Sequence, residues 1–483
     1  MLTIDWKPDK TSSIPLYKQI INYIKGKIAN GDWIVGSKLP TQRELAKAFD
    51  VNRSTIVEAL DELKAEGLIE GKSTKGTIIV NNTWSLLASI SPPNWQDYIE
   101  SGVHRPNLET IQLINKLEFE PNMIRLGTGE LSPELFPNER MKKVFKNLSE
   151  KVHSLGYLEP KGLQPLREVI SQYLKKYGIH ASPASILITS GGLQALQLIS
   201  IGILQPGSTI FVEKPSYIKS LHVFESTGMK LTGLSMDGDG INPREIKRSN
   251  KNTTLLYTIP TFHNPTSIVM PENRREKILK ICEKERLPII EDDVYRELWL
   301  DEKPPLPLKT NDKNGTVLYL GSTSKTLAPG FRIGWLVGPE PVVERLGDIK
   351  MQTDYGSSSL SQWAIAEWIA SGLYEENLIE IREKLRIRRQ LALETLEKHF
   401  SDIAIWEKPK GGFYIWLTLK QKISMNKLFH MAWKKRLLIN PGYMYDFSNN
   451  QSLRISYAYA SLKDLEKGLE KLSIIIRELI KEK

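Results

Sequence analysis

The run Ser322-Thr-Ser-Lys325-Thr-Leu-Ala-Pro-Gly-Phe-Arg332-Ile-Gly334 decides how this chain is read. Lys325 sits among small hydroxyl residues, just after an apolar run, Thr316–Leu320, that reads as a buried strand. Arg332 follows seven residues later. A primary amine can condense with an aldehyde, and hydroxyls beside a guanidinium can hold a phosphate. A lone lysine is ordinarily a solvated surface charge. The run gains its weight from the residues that precede it.

Upstream, Ile186–Thr189, Thr209–Val212, Leu255–Ile259, Pro288–Glu291 and Thr316–Leu320, with Ile333–Val337 downstream, alternate with amphipathic segments. That alternation predicts an α/β domain built on a mostly parallel sheet. Ligands bind such sheets at the carboxyl ends of the strands, and the candidate residues fall there. Thr189-Ser-Gly-Gly-Leu-Gln194 closes a strand and opens a helix, whose free amides suit a phosphate. Pro215-Ser-Tyr217 offers a ring to stack on a ligand, and His263-Asn264-Pro-Thr266 offers an amide donor. His263 reads equally well as structural. In Glu291-Asp-Asp-Val-Tyr295 a carboxylate could pair with a pyridine nitrogen, although three adjacent acids also describe a solvated turn or a metal site. The spacing from Asp292 to Tyr295 and on to Lys325 favours an organic cofactor with an aldehyde, a phosphate and a pyridine ring. Pyridoxal 5'-phosphate (PLP) has all three, and no metal site is assigned.

The first eighty residues read differently. Tyr17, Ile20, Ile21, Ile24 and Ile28 share one helical face. After the turn Gly36–Pro40, Thr41-Gln-Arg-Glu44 forms a capping box that opens a second helix through Phe49. Asp50-Val-Asn52 connects it to a third, with Ile56, Leu60 and Leu63 inward, Asn52 as N-cap and Gly67 at its end. Leu68-Ile69 and Thr77–Val80 then predict two short strands around the polar tip Gly71–Gly76. A third helix entering the major groove N-terminus first presents Arg53, Ser54 and Thr55 to double-stranded DNA, while Arg43 and Lys75 can hold its backbone.

Net charge is +10, which mildly favours a polyanionic partner, yet only +2 of it falls in residues 1–80. Position, and not bulk charge, marks the DNA-binding part. The single cysteine, Cys282, reads as a small buried hydrophobe and suits a reducing cytoplasm. No window is long and apolar enough for a membrane span; Leu193–Leu204 is short and contains Gln194 and Gln197. Residues 81–120, with Ser91-Pro-Pro93 and short helical patterns at Asp97–Gly102 and Leu108–Leu117, read as a linker between domain 1–80 and domain 121–483 that partly docks on the latter. Within the latter, a large part covers about 160–345 and a small part mainly 350–483. Trp363 and Trp368 read as packing residues, Arg382–Arg389 as a solvated basic helix face with DNA contact as the alternative, and Leu462–Lys481 as an amphipathic packing helix.

From Leu39-Pro40 through Arg43, Leu45-Ala46, Val51, Arg53, Thr55, Ala59-Leu60 and Glu66-Gly67 to Gly76-Thr77, the head resembles the GntR-type winged helix. The remainder resembles the fold-type I aminotransferases, and the whole resembles the MocR branch of GntR-type transcriptional regulators. The resemblance implies Lys325 as the imine-forming lysine and Asp292 as partner of the pyridine nitrogen. It implies Tyr295 and Asn264 at the ring hydroxyl, Tyr217 stacked on the ring, and Gly192, Leu193, Ser322, Ser324 and Arg332 around the phosphate. Tyr157, in Gly156-Tyr-Leu-Glu-Pro-Lys-Gly162, is similar to the tyrosine lent to a neighbouring subunit's phosphate. Arg454, in Leu453-Arg-Ile-Ser-Tyr457, is similar to the arginine that grips an α-carboxylate. Two departures stand out: Leu193 replaces a polar residue common in relatives, and Asp293 stands beside Asp292, where the spacing to Tyr295 selects Asp292.

The function expected is a PLP-dependent, DNA-binding transcriptional regulator that senses PLP or a small amine or amino acid effector. The resemblance adds a head-to-tail homodimer. Two other readings stand beside it: an active aminotransferase with a DNA-binding head, and a winged-helix repressor whose second domain only dimerises.

Overall fold

The computed structural model describes residues 2, 4–72, 76–82, 93–104, 106–247, 254–446, 448 and 451–482. They form two compact units, 1–103 and 104–483.

The first unit holds helices α1 (Leu16–Ala29), α2 (Gln42–Phe49) and α3 (Arg53–Ala65). An antiparallel hairpin of β1 (Ile69–Lys72) and β2 (Gly76–Ile79) follows, then a short helix α4 (Trp95–Ser101). Ile20, Ile21, Ile24 and Ile28 pack with Leu45, Phe49, Ile56, Leu60 and Leu63 in one core. The capping box closes both ways: the Glu44 N–H donates to Thr41 Oγ1 at 3.3 Å, and the Thr41 N–H donates to Glu44 Oε2 at 2.7 Å. Asn52 occupies the N-cap of α3 without a side-chain bond. The segment before α1 also joins the core. Trp6 stacks on Tyr23 with centroids 4.9 Å apart, and the Tyr23 hydroxyl donates to Asp5 Oδ1 at 2.7 Å.

The second unit begins with α5 (Glu109–Leu117), β3 (Ile124–Arg125), α6 (Asn138–Lys151) and α7 (Gln164–Leu174). Then come β4 (Ile186–Thr189), α8 (Gly192–Gly202), β5 (Thr209–Lys214), β6 (Lys230–Asp237), β7 (Gly240–Ile241), β8 (Thr254–Thr258), α9 (Glu272–Lys284), β9 (Ile289–Asp292), β10 (Val317–Ser322) and β11 (Gly334–Val337). The rest is α10 (Glu340–Thr353), α11 (Ser359–Ala370), α12 (Leu373–Phe400), β12 (Ala404–Ile405), β13 (Tyr414–Leu419), α13 (Met425–Lys434), β14 (Leu437–Leu438), β15 (Asn440–Pro441), β16 (Ser452–Ser456) and α14 (Leu462–Lys481).

The large sheet runs β4-β11-β10-β9-β8-β5-β6-β7. Its middle strands are parallel, as predicted; β11 is antiparallel to both neighbours, and β7 folds back on β6. The strand β6 escapes the sequence reading because Lys230, Thr232, Gly233 and Ser235 interrupt its apolar pattern. A second, four-stranded sheet, β12-β13-β16-β15, packs against α12 and α14. Part of the segment read as linker is built into this unit: Ile114 and Leu117 of α5 are buried in its main core. β3 pairs in parallel with β14, which ties the start of the unit to its end.

The solvated face expected at Arg382–Arg389 is corrected by burial. Arg382 Nη2 pairs with Glu297 at 3.1 Å, Arg388 with Glu134 at 2.9 Å, and Arg389 makes two bonds to Asp301 at 2.7 and 2.6 Å. α12 spans 28 residues, so its arginines reach carboxylates presented by several other segments. Trp368 is fully buried and Trp363 packs beside it, Cys282 is buried, and among the described residues no helix is long and apolar enough to cross a membrane.

Glu297 gathers Arg382, Lys176 and the hydroxyls of Tyr173 and Tyr177. Replacing Glu297 by Ala strands the buried Arg382 charge and should cost about 3–5 kcal/mol. The measurement is the urea-unfolding midpoint of the full chain, which should fall clearly below the wild-type value.

Candidate functional site

Five strands deliver their carboxyl ends to one place. β4 leads to Gly191-Gly192, β5 to Tyr217, β8 to His263-Asn264, β9 ends on Asp292, and β10 ends just before Lys325. The reversed strand β11 completes the set. Because it runs antiparallel, its first residue, Gly334, lies opposite both Ser322 and Thr189, which brings Arg332 to the same edge.

The three adjacent acids point three ways. Glu291 accepts the N–H groups of Leu308 and Lys309 at 2.7 and 2.9 Å, and Asp293 pairs with Arg296. Only Asp292 is left for the site. Its Oδ2 accepts the Tyr257 hydroxyl at 2.6 Å, while Oδ1 is buried without a hydrogen bond. Burial pushes the Asp292 carboxyl up to about 6; the Tyr257 hydroxyl, the Val294 amide and the Lys325 charge resist. A solvated turn is thus excluded, and the described residues contain no cluster of three metal-ligating side chains.

Around Arg454, 5% exposed, the bonds are equally specific. Nη1 donates to Asn264 Oδ1 at 2.9 Å and Nη2 to the Gly127 carbonyl at 2.7 Å. Asn264 Nδ2 donates to the Tyr295 hydroxyl at 3.3 Å, and the Tyr217 N–H donates to the Asn264 carbonyl at 3.1 Å. Lys325 Nζ donates to the Gly129 carbonyl at 2.6 Å. Lys325, Asp292, Tyr295, Asn264, Tyr217 and Arg454 therefore belong to one pocket.

A second cluster adjoins it at the start of α8, whose first amides no side chain caps. Gly191 has φ +89°, and a Cβ there would stand 2.8 Å from Arg332 Nη2. Arg332 Nη2 donates to the Ser190 carbonyl at 2.8 Å, and Ser324 N–H donates to Ser322 Oγ at 3.1 Å. Free amides, two hydroxyls and a guanidinium are groups that can together cradle an anion. The Leu193 side chain is exposed, so this residue can offer the cradle only its backbone.

Tyr157 stays outside. It is 86% exposed and packs edge-on against Tyr355. In the first unit Arg43, Arg53 and Ser54 are exposed and Thr55 is half-buried; Gln42 Oε1 accepts from Arg53 Nε and Nη2 at 3.1 and 2.9 Å. Lys75 lies outside the described residues.

The sequence reading missed four contributors: Tyr257, Tyr414, Tyr445 and the Gly129 carbonyl. Tyr257 sits inside a fully buried strand, where an aromatic residue reads as core. Tyr414 and Tyr445 flank the Arg454 guanidinium at 4.3 and 4.8 Å; only the register of β13 with β16 reveals the first, and Tyr445 comes from the turn after β15.

With this geometry in view, comparison with known proteins assigns both units. Residues 16–79 match the model for bacterial regulatory proteins of the gntR family, and residues 121–472 match aminotransferase class I and II. The chain belongs to the GntR-headed transcriptional regulators that carry an aminotransferase-like domain, the MocR-type arrangement. It is 54% identical to the uncharacterised HTH-type transcriptional regulator YdfD of Bacillus subtilis (strain 168), over 97% of this chain and 98% of that one. It is 35% identical to the HTH-type transcriptional regulator NorG of Staphylococcus aureus (strain USA300), over 92% of this chain and all of that one. Among solved structures, LysN, an alpha-aminoadipate aminotransferase from Thermus thermophilus complexed with N-(5'-phosphopyridoxyl)-L-leucine, matches with a TM-score of 0.74 and 27% identity. That match covers 81% of the regulator and 100% of LysN. The regulator therefore couples a winged-helix head to the fold-type I aminotransferase architecture.

Behind the pocket, Glu213 accepts from Thr258 Oγ1 at 2.5 Å and from the Ile259 N–H at 2.9 Å, both on Oε1. Burial pushes its carboxyl up to about 7 and holds His263 neutral, near 3. A carboxyl raised on folding binds its proton more tightly when native, so its contribution is complete below the unfolded value and fades as pH climbs through about 7. Glu213→Gln should flatten that decline, measured as unfolding free energy at stepped pH values on either side of the transition.

Proposed function

We propose that the regulator binds PLP in this pocket and reports its occupancy by small amines to an operator held by the first unit. The observation that carries the reading is Asp292 Oδ1, a buried carboxylate oxygen with no hydrogen bond among the described residues. A pyridine nitrogen bearing a proton is the partner such an atom lacks. The anion cradle at Ser190–Gly192, Ser322, Ser324 and Arg332 supports the phosphate, and Lys325 supports the covalent link. When bound, PLP supplies an aldehyde that condenses reversibly with amines and a ring that accepts electrons.

This chain's own residues would then divide the task. Asp292 keeps a proton on the ring nitrogen, Tyr217 offers its ring for stacking, and Asn264 and Tyr295 hold the ring oxygen. Arg454, already fixed by Asn264 and Gly127, presents its remaining donors to a carboxylate, a planar two-point grip that lysine would not give. An amine effector that also carries a carboxylate fits this division best. Turnover as an aminotransferase is the second reading, favoured by Lys325 and Arg454 flanking the same space beside Gly129. Multiple turnovers with an amino acid and a keto acid would establish it.

For DNA, α3 would enter the major groove with Arg53, Ser54 and Thr55 foremost, while Arg43 and Lys75 hold phosphates. We place the regulator in the cytoplasm as a head-to-tail homodimer, a reading supported by the exposed Tyr157. Such a dimer would meet half-sites about 34 Å apart or a multiple of that.

Purified regulator mixed with PLP should develop a visible absorbance band that Lys325→Ala abolishes. A band that persists in the variant, or none in the wild type, contradicts the reading. Separately, Arg53→Ala should weaken operator binding by about 1–3 kcal/mol and flatten its salt dependence where a phosphate is touched. Fluorescence anisotropy with operator DNA at several salt concentrations gives both quantities.

A further inference from the structure

Tyr414 stands where the two charged ends of the pocket meet. It is 1% exposed at the start of β13, and the register with β16 makes it a diagonal neighbour of Arg454. Its ring lies 4.3 Å from the Arg454 guanidinium. Its hydroxyl lies 3.2 Å from the Tyr295 hydroxyl. A Cβ built on Gly129 would stand 2.7 Å from that same hydroxyl and 3.8 Å from both Arg454 Nη2 and Lys325 Nζ. The Tyr414 hydroxyl thus faces the space that the lysine and the arginine share.

Hydrogen-bond accounting gives this position a consequence. A phenol has one proton and two acceptor positions. Asn264 Nδ2 donates to one acceptor position of Tyr295. Either hydroxyl can donate across the 3.2 Å contact; when Tyr414 donates, it fills the other position and leaves the Tyr295 proton for a ligand. Donation in such a chain also strengthens the outgoing bond, because each hydroxyl polarises the next.

We propose that Tyr414 is a positioning residue that fixes the Tyr295 hydroxyl as a donor toward the ligand and ties it to whatever Arg454 holds. The tie is the ring: a carboxylate drawn to Arg454 changes the charge against which the Tyr414 face is stacked. The proposal rests on PLP occupying the pocket. With PLP bound, donation from Tyr295 to its ring oxygen would stabilise negative charge there and would loosen the proton shared with the lysine nitrogen. Loss of Tyr414's support should therefore raise the pH at which that proton leaves. The charged and titratable groups facing Tyr295 are Tyr414 from β13, Arg454 from β16 and Tyr217 after β5, with Asp292 and Lys325 in the same pocket and Glu130, next to Gly129, near Lys325. Only the first changes in the test.

The experiment titrates the visible PLP band of the full chain with pH, using wild type, Tyr414→Phe, Tyr295→Phe and the double variant. Tyr414→Phe should raise the midpoint by about 0.5–1 in pH, the size expected for one net hydrogen bond. In the Tyr295→Phe background the second substitution should add no further shift. Propionate, a carboxylate without an amine, should move the wild-type midpoint more than that of Tyr414→Phe. An unchanged midpoint, additive shifts in the double variant, or equal responses to propionate would each overturn the proposal. Absence of any band in the wild type would instead bring down the PLP reading, and this proposal with it.

Discussion

Two opposite charges, the Asp292 carboxylate and the Arg454 guanidinium, are buried in one pocket, and neither forms an ion pair among the described residues. Each is held by neutral partners: Tyr257 for the acid, Asn264 and the Gly127 carbonyl for the base. Removing a charge from water costs several kcal/mol unless a counter-charge compensates. Pairing the two directly would lower that cost and would also close the pocket. The fold instead keeps them apart on different sheets, Asp292 at the end of β9 and Arg454 within β16. On the proposed reading, a ligand carrying both a protonated ring and a carboxylate would restore the compensation at both ends.

The geometry that makes this possible comes from one reversed strand. If β11 ran parallel to its neighbours, Arg332 would lie at the opposite edge of the sheet from Lys325. Running antiparallel, it returns the chain from the lysine straight to the anion cradle. The close approach has a steric condition: a Cβ on Gly334 would stand 3.0 Å from the Gly191 backbone. Gly191 itself needs its positive φ to open α8 toward the cradle. Charged residues and small residues in the stretch Ser322–Gly334 therefore serve the same end.

Much of this was legible in the sequence because the relevant signals are local. The capping box at Thr41, the apolar face of α1 and the strand-end positions of Asn264, Asp292 and Lys325 are short-range patterns that the fold preserves. What stayed hidden depends on long-range register. Tyr414 and Arg454 are diagonal partners only because β13 pairs with β16. The arginines of α12 look like a solvated run until α12 is laid against Glu297, Asp301 and Glu134. Trp6 lies in an irregular segment without periodicity, so nothing local marks it as core. The acid triplet shows the boundary well: composition suggested three interchangeable carboxylates, and the structure gives each a different partner.

The proposed sensing requires the pocket to be coupled to the grip on DNA. Coupling is a differential affinity, so an effector can shift operator binding only by as much as it prefers one state, typically about 1–3 kcal/mol or 5–150-fold. The most direct measurement is the operator dissociation constant of the full chain with its pocket empty, loaded with PLP, and loaded then sealed by borohydride reduction. The account predicts constants that differ between these states by several-fold or more. Identical constants in all three would contradict it.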